Sequence, residues 1–94
     1  MAQSSVFRGT ARKIVERDGR KYFYYHNTPV VVVSDDSICL NTGGFMTATT
    51  KLAMNQASNQ DCLGFQVYQK NYIWYIDYKG VTFIMNDETF AMHR

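Results

Sequence analysis

The chain has 94 residues, enough for one domain spanning 1–94 and a modest core. Apolar residues make up 46% and charged residues 19%, which excludes a disordered or highly charged tail protein. The net charge of +2 is unevenly spread. Arg8, Arg12, Lys13, Arg17, Arg20 and Lys21 stand against Glu16 and Asp18, giving +4 near the start and leaving −2 for the rest.

In chain order, residues from Val6 to Glu16 alternate loosely and meet Arg17-Asp18-Gly19-Arg20. Asp-Gly between two such runs predicts a hairpin, with Glu16 facing Lys21, Ile14 facing Phe23 and Arg12 facing Tyr25. Val15 then meets Tyr22 and Lys13 meets Tyr24, so both faces carry apolar and basic groups. The pattern does not decide which is buried.

Asn27-Thr28-Pro29 ends the second strand, because proline offers no amide hydrogen. Val30 to Val33 is β-branched and predicts a third strand. Asp35-Asp36 turns the chain into a fourth, Ser37 to Asn41, with Val33 facing Ile38 and Val31 facing Leu40. Gly43-Gly44 then ends the strand section.

One helix is expected from about Thr50 to Gln60, with Thr47 or Thr49 as N-cap. Ala53, Met54 and Ala57 give it a narrow apolar stripe, while Lys51, Asn55, Ser58 and Asn59 point elsewhere. MNQASNQ is rich in amides, so tertiary contacts must hold this helix.

Phe65 to Met85 predicts three antiparallel strands with turns at Lys70-Asn71 and Lys79-Gly80. That register pairs Gln69 with Tyr72, Val67 with Trp74, Phe65 with Ile76, and Ile76 with Phe83. One face, with Phe65, Val67, Trp74, Ile76, Tyr78, Val81, Phe83 and Met85, must be core. The other is mixed: Gln66, Tyr68, Lys70, Ile73, Tyr75, Asp77, Thr82 and Ile84, with Tyr68 opposite Ile73 and Tyr75 opposite Ile84. Residues 86–89 make a turn, and FAMHR reads as a tail or a final helical turn. The fold class is α+β, a mostly antiparallel sheet in the order ββββ-α-βββ with one short helix packed on it.

Chemistry is sparse. GGFMTATTK has the outline of a phosphate-binding loop, but Lys51 follows no glycine and falls inside the helix. His26, His93, Cys39 and Cys62 lack the close-paired spacing of a zinc site, so no metal or cofactor is expected. Cys39 and Cys62 read as reduced, small core residues. Asp35-Asp36 and Asp87-Glu88 lie in turns, where acids serve the backbone. No nucleophile has an activating neighbour, and a non-enzymatic protein is expected. The start MAQSSVFRG has no apolar signal segment and no apolar run reaches membrane-helix length, which points to a cytoplasmic protein with no membrane partner.

Surface is what remains. Tyr68, Ile73, Tyr75 and Ile84, with Lys70, form a patch costly to leave in water, and so a candidate partner-binding face. A second copy of the chain is one possible occupant. Arg12, Lys13, Arg17, Arg20, Tyr22 and Tyr24 are the alternative, a basic, tyrosine-rich hairpin suited to nucleic acid.

The pieces GG, TATTK, MNQASNQ and LGFQVYQKN, with the aromatic strand after them, resemble a family of small tailed-bacteriophage accessory proteins. The resemblance covers about half the chain. That family has no established activity, so it assigns no site residues. It implies a phage protein made in a bacterial host cytoplasm, where such proteins often inhibit or redirect a host protein, including one of a defence system.

Overall fold

The computed structural model describes residues 7–94; Val6, the first position of the expected alternation, lies outside the described residues. Eight strands and one helix follow one another: β1 (Arg12–Arg17), β2 (Arg20–Tyr25), β3 (Thr28–Val33), β4 (Ser37–Asn41), α1 (Ala48–Gln60), β5 (Phe65–Lys70), β6 (Ile73–Tyr78), β7 (Val81–Ile84) and β8 (Thr89–His93). They form a five-stranded sheet, β1-β2-β3-β4-β8, and a three-stranded sheet, β5-β6-β7, both antiparallel. This is the expected α+β class with one further strand. FAMHR is no tail or helical turn: Phe90 pairs with Leu40 and Met92 with Ile38, closing the sheet beside β4.

The N-terminal hairpin has the expected register, with Asp18 and Gly19 both at positive φ in its turn. The buried face is the one carrying Phe23, where Phe7 packs edge-on at 5.1 Å between ring centres. Pro29 lies within β3 rather than ending β2. A bulge accommodates it: Phe23 pairs with Val31 but Tyr24 with Pro29. Val30 and Val31 are therefore both buried, although they are consecutive.

The two sheets and the helix share one core that includes Phe23, Ile38, Leu40, Met54, Trp74 and Ile76. Thr47 caps the helix by accepting from the Thr50 amide at 3.3 Å. Ala53, Met54 and Ala57 are fully buried, as the stripe requires. The polar residues of α1 do not all point away, however. Ser58 is 2% exposed, and its Oγ donates to the Phe65 carbonyl at 2.7 Å and accepts from the Phe65 amide at 3.0 Å. One turn earlier, Asn55 does the same for Val67, at 2.9 and 2.8 Å. On another side, Gln56 accepts from Arg12 Nε at 2.8 Å and Gln60 from the Phe7 amide at 2.9 Å. The amide-rich helix is a polar bridge between the N-terminal segment and β5.

In the three-stranded sheet the second hairpin has its expected register, and Ile76 pairs with Phe83. The first is displaced. Asn71 and Tyr72 form its turn, at φ 52° and 67°, so Lys70 pairs with Ile73, Gln69 with Trp74, Tyr68 with Tyr75 and Val67 with Ile76. Every pair moves by two positions in sum, so the division of faces survives. Trp74 is 2% exposed; Val81, expected in the core, is half-exposed on the edge strand. The cysteines are not core residues either. Both are free; Cys39 is half-buried on β4 and Cys62 exposed just past the helix.

Candidate functional site

Each sheet buries one face and leaves the other uncovered by any described strand or helix, since α1 packs on β2, β3 and β5 from the core side. The three-stranded sheet presents its mixed face. β5 supplies Tyr68 and Lys70, β6 supplies Ile73 and Tyr75, and β7 supplies Ile84. Strand alternation brings all five predicted residues to one side. Tyr68 and Tyr75 are directly cross-strand and stack with centroids 5.5 Å apart and planes 24° apart. Ile73 and Ile84 flank them at 41% and 49% exposure.

Tyr68 is partnered within the face by Asp77 of the neighbouring strand, and Asp77 in turn by Thr82. Tyr68 Oη donates to Asp77 Oδ1 at 3.1 Å, and Thr82 Oγ1 donates to the same oxygen at 2.7 Å. Partial desolvation, then the hydrogen bond to Asp77 and its charge, hold the Tyr68 phenol above its ordinary pKa of 10.0. Phenol and carboxylate thus satisfy each other, and the centre of the face is aromatic and aliphatic.

Tyr72 is the residue that sequence reasoning missed here. It stands 95% exposed at the turn beside Lys70 and Ile73. The signal was Asn71: asparagine favours the first central position of such turns, which puts Tyr72 at the second.

The outer face of the five-stranded sheet collects Lys13 and Arg17 from β1 and Arg20, Tyr22 and Tyr24 from β2. Lys13 Nζ lies 5.2 Å from the Tyr24 ring centre, and the Arg17 guanidinium 5.3 Å from that of Tyr22. The tyrosines are 6.3 Å apart and near-parallel, at 28°. Arg12 does not join them. It lies on the opposite face, its guanidinium 5.0 Å from the Tyr25 ring centre and 5.9 Å from that of Phe7, and bonded to Gln56.

A cleft of about 490 Å³ opens between the β2–β3 turn and the start of α1, lined by Tyr25, His26, Phe45 and several threonines. The hydroxyls of Thr49 and Thr50 bond that of Thr47, at 3.1 and 3.0 Å, rather than being left unpaired. Among the described residues no three of His, Cys, Asp and Glu come together as a metal site would require. No described helix is long and apolar enough to cross a membrane.

The fold and these two faces define a small antiparallel α+β domain with much open sheet surface. The chain belongs to the Kyanoviridae Gp96 protein family, a phage protein family, whose model matches residues 4–93. None of the curated proteins or solved structures compared with the chain matches it.

Proposed function

We propose that this phage protein acts without catalysis, by binding and thereby modulating or inhibiting a host protein in the bacterial cytoplasm, through the mixed face of its three-stranded sheet. The observation that carries this reading is the stacked Tyr68–Tyr75 pair flanked by exposed Ile73 and Ile84. Burying such a patch is favourable, and interface cores are enriched in aromatic side chains. Lys70 and Gln66 give it a polar rim. Family membership supports the phage setting; a defence-system target is a narrower form of the proposal, and a second copy of the chain is the alternative occupant of the face.

Affinity capture from host lysate, with and without nuclease, tests it. The expected result is a captured protein that survives nuclease and disappears with the Tyr68→Ala/Tyr75→Ala double variant, whose thermal midpoint stays close to that of the parent. Capture unchanged by the double variant would sink the reading. Concentration-dependent self-association abolished by the same variant would instead mark the face as a homodimer interface.

A further inference from the structure

We infer that the outer face of the five-stranded sheet is a separate platform for single-stranded nucleic acid, with Tyr22 and Tyr24 stacking bases and Lys13, Arg17 and Arg20 taking phosphates.

Three observations converge on it. The first is sign. The strands place Lys13, Arg17 and Arg20 on this face and no Asp or Glu; Glu16 is on the other side, beside Lys21. Among the described residues none of these three cations is in an ion pair, whereas Lys21 is engaged with Asp61 at 2.8 Å. Three cations outside any ion pair on one face, against Asp18 in the turn between Arg17 and Arg20, leave it net positive and attractive to a polyanion.

The second is the tyrosines. They sit on β2, inside the sheet edge rather than on it, with Val32 of β3 next in the same row as Tyr22. β2 therefore presents two half-buried aromatic rings two residues apart on one face. Sheets that bind single strands use aromatics in this way, because every base has a face to stack.

The third is pairing. Each tyrosine has a cation from β1 within 5.3 Å of its ring centre, so a phosphate-binding group stands beside each base-stacking one. A purely acidic polypeptide such as polyglutamate would use the charges but offer nothing to stack on the rings. A duplex would hide its bases from the rings. Single strands use both.

Fluorescence anisotropy of the full chain with labelled oligothymidylate and oligoadenylate tests this. Three phosphate contacts predict a logarithmic salt slope near −2, or about 20-fold weaker binding between roughly 50 and 200 mM salt. Lys13→Gln/Arg17→Gln/Arg20→Gln should weaken binding and flatten that slope, while Lys79→Gln, a charge removed from the other sheet, should change neither. Tyr22→Leu and Tyr24→Leu should each cost about 5-fold or more with the salt slope kept. Should the leucine variants fail to fold, the charge variants and a duplex competitor still decide. No binding at low salt, equal binding to duplex, or indifference of folded variants to loss of either set would overturn the proposal. Equally tight binding of polyglutamate would overturn it too, in favour of an acidic protein partner.

Discussion

Asn55 and Val67 are joined by a two-point hydrogen bond, the amide side chain of the helix donating to and accepting from the backbone of the strand. A strand neighbour would make the same pair of bonds. Ser58 repeats the arrangement on Phe65, and Lys51 Nζ reaches Gln69 Oε1 at 2.9 Å, so one helix tracks alternate residues along the outer edge of β5.

Asn55→Ala should therefore destabilise the protein by about 1–3 kcal/mol, since it strands both an acceptor and a donor on Val67. Ser58→Ala should cost a similar amount at a more deeply buried position. Urea unfolding measures both. Hydrogen exchange at the Val67 amide should quicken selectively in Asn55→Ala; an unchanged rate would show that the edge is held by something else.

Trp74→Ala should cost about 3–5 kcal/mol, the usual range for deleting a large buried aromatic. Trp74 is packed in the shared core, and the Lys51 ammonium lies 5.3 Å from its ring centre. Its fluorescence should be shifted to the blue in the native state and move to the red on unfolding. A native spectrum like that of free tryptophan in water would reject the burial.

Tyr72→Gly should stabilise the protein by roughly 1 kcal/mol. Tyrosine pays a steric penalty in the left-handed region that glycine avoids, and little packing is lost from so exposed a ring. If the same variant loses the captured partner, the strained turn holds Tyr72 for contact, as backbone strain at functional positions often does.

Tyr68 should ionise above the ordinary phenol value of 10.0. The folded state then keeps a proton that the unfolded chain gives up. Its contribution to stability is present below that value and is lost as pH rises through the raised folded pKa. Phenolate absorbance of the protein minus that of Tyr68→Phe reads the ionisation directly. Asp77→Asn should bring it down towards 10.0 by removing the neighbouring negative charge. No movement in Asp77→Asn would dissociate the shift from this carboxylate.

What was legible in the sequence tracked turn chemistry. Asp18-Gly19 and Lys79-Gly80 each offer glycine at the second central position, and both hairpins have the expected register. Lys70-Asn71-Tyr72-Ile73 has no glycine, and there the pairing lies two positions away from the expected one. The candidate face survived because alternation has a period of two. β8 was not legible: its partner β4 lies some fifty residues away, and five residues of loose alternation beside the terminus give little local signal. The helix amides stood out as unusual, but their task depends on which strand lies alongside, which spacing within the helix does not reveal. Charge alone groups Arg12 with its neighbours, while the pleat sends it to the opposite side.

The contact between α1 and β5 also gives the smaller sheet a direction. With its β5 side occupied by Asn55 and Ser58, an incoming strand has only β7 to zip onto. Any assembly by strand addition to this sheet is thus one-ended. Two copies meeting through it would join β7 to β7 and stop, a closed pair rather than a growing fibre.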